Sequence, residues 1–287
     1  MGNYSNHDLV RPKKSLGQHF LVDLNIAKNI VKSLSGEHDI VIEVGAGMGV
    51  LTQYLIENQL DKLQVVEIDS ESVEFLKNKF PQLEGHLVHG DFLKQDLTSF
   101  RAQRSEVEKS STNGSVVSHL DVAVIGNFPY NISSQIFFRI LQYRDCISEC
   151  VCMIQKEVAE RIATGPGSKT YGILSVLLQA WYDIEYLFTV HENVFNPPPK
   201  VKSAVIRLKR NNVNELGCDE KIFVTVVKQA FNQRRKTLRN SLRSLIPTEI
   251  IDNEIFNKRP EQLSVAEFVE LVKKLQTGTP MIGNINK

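Results

Sequence analysis

Apolar positions along the first two thirds of the chain follow two alternating patterns. Short apolar runs, rich in β-branched residues, occur at Ile40–Val44, Leu63–Ile68, His86–His89, Asp121–Ile125 and Glu149–Ile154. They are too short for helices and read as buried strands of a parallel sheet. Between them apolar residues recur at helical spacing. The predicted helices are Asp23–Leu34, Val50–Asn58, a segment ending at Lys79 with Ser70 as its cap, Ser133–Leu141 with Ser133 as its cap, Lys156–Ala163 and Tyr171–Trp181. Asp183–Val190 and Ser203–Lys209 alternate or run apolar, as an antiparallel closing pair would. Alternating βα units followed by a hairpin predict an α/β fold with a doubly wound, mostly parallel sheet and an antiparallel edge.

Past Lys209 the pattern changes. Asp219–Asn232, Arg234–Leu245 and Ser264–Gln276 have amphipathic helical periods, punctuated by Pro247 and Pro260, and predict a small all-helical second domain. The chain is therefore expected to divide into an arm at 1–22, an α/β domain at 23–210 and a helical domain at 211–287. Arg101–Ser118 is polar with no apolar period and reads as an exposed, partly mobile loop, with an inert insertion favoured over a contact to a partner.

Composition narrows the class. With 42% hydrophobic and 23% charged residues the chain is of ordinary globular type. No apolar run is long enough to cross a bilayer, and the first residues lack the apolar core of a signal peptide, so a cytoplasmic location is expected. Gly2 is not followed by Ser or Thr at position 6, which excludes the myristoylation pattern. The four cysteines, Cys146, Cys150, Cys152 and Cys218, have no metal-ligand spacing and read as reduced. No metal is expected. The net charge of +1 conceals an asymmetry. Acids outnumber bases from Glu37 to Asp96, whereas Arg11, Lys13 and Lys14 in the arm, and Lys200, Arg234, Arg235, Lys236 and Arg239 further on, form two basic runs. Two such runs on a neutral protein predict contact with a polyanion.

Candidate chemistry collects where predicted strands end. Gly45, Gly47 and Gly49 follow the first strand, allowing close backbone approach to a ligand, but without dinucleotide-binding spacing or the Lys-Ser/Thr of a phosphate loop. Glu67, about 20 residues on, ends the second strand, where an acid can accept hydrogen bonds from both ribose hydroxyls of a nucleoside. Asp91 ends the third, able to accept from an adenine amino group, with Phe92 as an apolar wall. Each alone reads more readily as structural than as functional. Together they outline a nucleoside site with no phosphate cradle, which suits S-adenosylmethionine. The fourth strand runs into Gly126-Asn127-Phe128-Pro129-Tyr130. Alone this is equally a βα turn. Beside a methyl donor, Asn127 and a backbone carbonyl of Phe128 or Pro129 can accept both protons of an exocyclic adenine amine and aim its lone pair at the methyl. Tyr130 can stack on the base.

These residues sit in stretches by which the chain resembles the KsgA-type ribosomal RNA adenine dimethyltransferases. The resemblance runs from Lys13 to about Gln276. Its motifs are Lys14–Leu21 (KSLGQHFL), Glu43–Thr52 (EVGAGMGVLT), Val66–Asp69 (VEID), Gly90-Asp91, Gly126–Ser133 (GNFPYNIS), Gln155–Arg161 (QKEVAER), Tyr171–Val176 (YGILSV), Phe195–Val201 (FNPPPKV) with Ser203–Val205, and Phe231–Leu242 (FNQRRKTLRNSL). It implies a Rossmann-like class I methyltransferase domain with a helical C-terminal RNA-binding domain. It implies dimethylation of two adjacent adenines in the 3′-terminal hairpin loop of small-subunit (16S) rRNA, and a part in small-subunit biogenesis. The partner would be the immature 30S subunit, and the enzyme a monomer. Cofactor contacts would fall on His19, Leu21, Gly45, Glu67, Asp91 and Asn127. Asn127, Pro129 and Tyr130 would carry catalysis, with Phe195 packing against the flipped base opposite Tyr130.

Two departures stand out. His19 replaces the family's usual Asn, a change that a backbone contact to the cofactor would survive and a side-chain contact would not. Phe128 replaces its usual Leu, at a position expected to contribute backbone. Three alternatives are open: an Erm-type methyltransferase acting on large-subunit rRNA, a DNA adenine methyltransferase, which lacks an evident base-reading domain here, and a non-catalytic RNA-binding assembly factor.

Overall fold

The structure is a computed structural model and describes residues 10–97, 120–247 and 250–277. The loop read at 101–118 lies outside the described residues. The strands are β1 (Phe20–Leu21), β2 (Ile40–Val44), β3 (Leu63–Glu67), β4 (Leu87–His89), β5 (Val122–Asn127), β6 (Ile147–Gln155), β7 (Tyr182–Val190), β8 (Phe195–Asn196) and β9 (Ser203–Arg210). The α-helices are α1 (Leu24–Lys32), α2 (Thr52–Gln59), α3 (Ser70–Lys79), α4 (Ser133–Gln142), α5 (Lys156–Ala163), α6 (Ile173–Gln179), α7 (Glu220–Asn232), α8 (Leu238–Ser241) and α9 (Val265–Thr277).

Seven strands form one sheet in the order β4-β3-β2-β5-β6-β9-β7. From β4 to β6 neighbours are parallel, and β9 runs antiparallel to β6. The chain starts in the middle at β2, winds outward to β4, then returns to β5 on the other side. That reversal between β2 and β5 is the switch point at whose carboxyl ends open α/β sheets bind ligands. The predicted parallel sheet with an antiparallel edge is therefore the observed one. Every residue of β2 is buried, as are Val122 to Gly126 of β5, which explains why these strands read as unbroken apolar runs. Cys150 and Cys152 lie in β6 as buried free thiols.

By contacts the chain forms two compact units, Met1–Ala159 with Glu185–Arg210, and Glu160–Ile184 with Asn211–Lys287. Residues 160–184, grouped with the α/β domain on sequence, thus pack with the C-terminal helices. Their burial explains it: in this second unit Tyr171 meets Phe231 edge-on with 6.2 Å between ring centres, and Trp181 meets Phe223 at 6.0 Å. The expected long helix over Arg234–Leu245 is reduced to the single turn of α8, and Arg234 to Lys236 lie in turns. Two caps also differ from expectation. Asp69, not Ser70, caps α3 by accepting from Ser72 N, and α4 begins at Ser133 after an uncapping Ile132. Ser133 Oγ instead donates to the Tyr130 carbonyl at 3.3 Å. No helix among the described residues is long and apolar enough to cross a membrane.

At the amino end of the sheet His38 is clasped by acids. Its Nε2 lies 2.8 Å from Glu149 and its Nδ1 3.1 Å from Asp121, and Ser35 donates to Glu149 through both its amide and its hydroxyl. The bond to Glu149 raises the His38 pKa above its ordinary value; burial opposes this and Asp121 adds to it. A raised folded-state pKa means stability fully present below about pH 6.5 and lost as pH rises through the folded value. His38→Gln is expected to destabilise by about 2–3 kcal/mol at pH 6, since it removes the cation paired with a buried carboxylate. The gap to the native protein should narrow by pH 8.5, as checked by urea unfolding at both pH values.

Candidate active site

A cavity of about 360 Å³ opens at the carboxyl ends of the strands, entirely within the first unit. Its walls hold all six expected cofactor residues, His19, Leu21, Gly45, Glu67, Asp91 and Asn127, together with Pro129 and Tyr130. Each arrives from a different strand end or from the arm, so the sheet is what assembles them.

Glu67 ends β3 and is almost fully buried. Burial raises its pKa, but backbone amides oppose this: Gly47 N and Asp69 N each donate to one carboxylate oxygen at 2.8 Å. Each oxygen retains a lone pair for a ribose hydroxyl. Gly47 has φ +55, and a Cβ there would stand 2.8 Å from the Phe20 ring, so the turn that brings its amide to Glu67 requires glycine. Asp91 accepts from Leu93 N at 3.0 Å, beside a buried Phe92. Ile68, Phe92 and Leu93 supply the apolar part of the wall. Paired carboxylates, a glycine turn and an apolar slot, with no lysine or arginine on the walls among the described residues, fit a nucleoside bearing no phosphate.

Asn127 is the last residue of β5. Its Nδ2 donates to the His19 carbonyl at 2.9 Å, which orients the amide and turns Oδ1 away from that bond. Gly126 before it lies under a close strand crossing, where a Cβ would sit 2.5 Å from the Val44 carbonyl. The Phe128 ring is buried edge-on against Phe137, so the departure from Leu is absorbed as core packing. The Pro129 carbonyl accepts from Ile132 N at 3.2 Å and keeps its second lone pair. Tyr130 Oη is 2.6 Å from Ser203 Oγ. Burial raises the Tyr130 pKa and the Ser203 bond lowers it, with the first prevailing.

Other expectations change. His19 contributes its carbonyl to Asn127, while its ring stacks on Tyr130 and its Nδ1 donates to the Pro197 carbonyl at 2.8 Å. Phe195, expected opposite Tyr130, is buried in the core with Leu21 and does not line the cavity. β8 pairs antiparallel with β1, Leu21 facing Phe195, so the two side chains share the buried face. Lys13, expected on RNA, is bound to Asp69 and lies 3.1 Å from Glu71. Burial alone would raise the Asp69 pKa, but hydrogen bonds from Lys13 and Ser72 outweigh it and lower it. Arg11, Lys14 and Lys200 are exposed. In the second unit Arg234 donates to the Ser168 carbonyl at 3.3 Å, and Arg239 is tied to Asp252 and Asn257, whereas Arg235 and Lys236 are exposed.

Three contributors were not singled out on sequence. Ser203 begins β9, distant in the chain from Tyr130. Asp69 was seen only as part of a motif. Glu43 lies in β2 on the cavity wall, 1% exposed, and its Oε2 has no hydrogen-bond partner among the described residues. An acid inside an otherwise apolar run was the available signal.

The profile of the ribosomal RNA adenine dimethylase family matches residues 10–277. The ribosomal RNA small subunit methyltransferase A of Parabacteroides distasonis is 58% identical over 267 residues, covering 92% of this chain and 93% of that one. Its counterpart from Cytophaga hutchinsonii is 56% identical over 269 residues, covering 93% and 98%. Among solved structures, a dimethyladenosine transferase from Plasmodium falciparum superposes with a TM-score of 0.71 at 23% identity, covering 91% of this chain and 98% of that one. The 23S rRNA methyltransferase ErmE reaches 0.60 at 24%, covering 88% and 99%. At these identities the two structures speak for the fold.

Burial, with Glu67 nearby, pushes the Glu43 pKa up to about 8. The unfolded chain ionises near 4.5, so native stability falls as pH rises from there to about 8. Glu43→Gln removes this dependence. Its stability relative to the native protein should rise by on the order of a few kcal/mol between pH 5.5 and 8.5, as read by urea unfolding.

Proposed function

Because the chain belongs to the ribosomal RNA adenine dimethylase family, we propose that it dimethylates two adjacent adenines near the 3′ end of small-subunit rRNA within immature 30S subunits, in the cytoplasm. S-adenosylmethionine supplies an electrophilic methyl group on a sulfonium that leaves as a neutral thioether. Glu67 and Asp91 would hold its ribose and adenine, with Gly45, Leu21 and the His19 segment closing the slot. A strong general base is unnecessary, because the sulfonium is already a good leaving group and the nitrogen becomes acidic only once methylated, releasing its proton to solvent.

The observation that carries this reading is the amide of Asn127, whose nitrogen is committed to the His19 carbonyl. Its oxygen is thereby left to accept a hydrogen bond from one N–H of the target amine, with the Pro129 or Phe128 carbonyl accepting from the other. An amine so held keeps its lone pair out of conjugation and directed at the methyl group. Tyr130 stacks on the flipped base and offsets its unstacking from RNA. Relatives above 50% identity that carry the small-subunit name favour this substrate over the large-subunit alternative. The presence of Glu67, Asp91, Asn127, Pro129 and Tyr130 around one cavity favours an enzyme over a purely structural factor.

Primer extension on both ribosomal RNAs, after incubation with ribosomal subunits lacking the modification, tests the substrate. Stops confined to the large-subunit RNA would sink this choice. Asn127→Ala is expected to abolish transfer, by at least about 100-fold as for loss of a key electrostatic donor or acceptor, while RNA binding stays within a few-fold. Filter binding and single-turnover transfer measured on one preparation separate the two effects. Replacing Arg235 and Lys236 by Ala should weaken RNA binding and reduce its log–log salt slope by roughly 1.5. An unchanged slope would place the RNA elsewhere.

A further inference from the structure

His19 is tied down at three points. Its carbonyl accepts from Asn127 Nδ2 at 2.9 Å, its Nδ1 donates to the Pro197 carbonyl at 2.8 Å, and its ring lies on Tyr130 with centres 5.5 Å apart and planes inclined by 27°. Asn127 and Tyr130 flank the Phe128-Pro129 turn, and Pro197 follows β8, which is paired to β1 just beyond His19. One residue of the arm therefore touches both side chains assigned to the target adenine. The bond to Asn127 uses backbone, which any residue at 19 supplies. The contacts to Tyr130 and Pro197 use the imidazole, which only this side chain supplies.

The spacing also fixes what the ring can do. Two stacked aromatic layers on either side of a base need roughly 7 Å between outer rings, twice the usual ~3.5 Å contact distance. At 5.5 Å the imidazole and the phenol are in direct offset contact, and no third ring fits between them. His19 therefore backs Tyr130, leaving the opposite face of Tyr130 for a base. The phenol is then fixed at its hydroxyl by Ser203 and across one face by His19.

We propose that the His19 side chain is a positioning residue for the target adenine, holding the Tyr130 ring at its stacking angle, and that it is not a ligand of the cofactor. This rests on the reading of Tyr130 as the stacking surface. A ring held in place loses less freedom when the base arrives, so the effect falls on the step that engages RNA.

The test measures single-turnover methylation of unmethylated small subunits, together with the equilibrium Kd for S-adenosylmethionine. His19→Ala keeps the carbonyl bonded to Asn127, so the cofactor Kd should stay within about twofold, while transfer at subsaturating RNA slows roughly five- to tenfold, the range of one aromatic pair. His19→Phe, which keeps a ring and loses the Pro197 bond, should recover most of that loss. His19→Asn, a donor without a ring, should stay near His19→Ala. In a Tyr130→Ala background His19→Ala should cost nothing further, because the ring it supports is gone. The proposal is overturned by a His19→Ala enzyme of native rate, by cofactor affinity that falls in parallel with rate, or by rescue with Asn and not Phe. A Tyr130→Ala enzyme of native rate would instead remove the stacking role of Tyr130, a failure distinct from a slow Tyr130→Ala beside an unaffected His19→Ala.

Discussion

The site depends on a buried carboxylate at the end of β3. Glu67 has been taken out of water, which by itself favours its neutral form. The amides of Gly47 and Asp69 make that burial tolerable, and in doing so they fix two turns at once. The first is the glycine turn after β2. The second leads into α3, where Asp69 caps the helix and holds Lys13. From Lys13 the arm continues along the cavity wall to His19, whose carbonyl orients Asn127. Hydrogen bonds and the backbone of the arm thus connect Glu67 to Asn127 within one unit. An unsatisfied buried carboxylate would cost several kcal/mol, so these links are set by the fold's own need to pair Glu67.

The basic residues divide by the same logic. Lys13 is spent on Asp69 and Glu71, and Arg234 and Arg239 on partners in the helical unit. Positive charge in a sequence run therefore has two uses here, tethering loops that lack regular hydrogen bonds and presenting charge to solvent. Arg11, Lys14, Lys200, Arg235 and Lys236 are left exposed to solvent. Run length alone could not separate the two groups, because partners such as Asp69 and Asp252 lie at unrelated distances along the chain.

Much of the architecture was legible because burial on both faces forces a parallel strand to be apolar throughout. Ile40–Val44 and Asp121–Ile125 could be placed as strands, and the sites after them as strand ends, without knowledge of any contact. Gly45, Glu67, Asp91 and Asn127 could be singled out from where those strands stop, whereas His19 and Leu21 came only from the family resemblance. Helix boundaries were less legible: Asp69 rather than Ser70 caps α3, because capping depends on which side chain the backbone turns toward the first amides. The stretch Arg234–Leu245 has a helical period yet forms one turn. Short helices rely on tertiary packing, which periodicity alone does not contain.

By itself, then, the sequence determined the order of elements, the sheet's parallel character and the residue types at each strand end, since these follow from local pattern and from which residues water excludes. Only the tertiary structure decided what those residues do to one another. The pairing of β1 with β8 turned Phe195 into the core and brought Pro197 to His19. The adjacency of β6 and β9 put Ser203 against Tyr130, 73 positions away in the chain. Such contacts join segments far apart in sequence, and their geometry comes from strand register, where a shift of one residue would send each side chain to the opposite face.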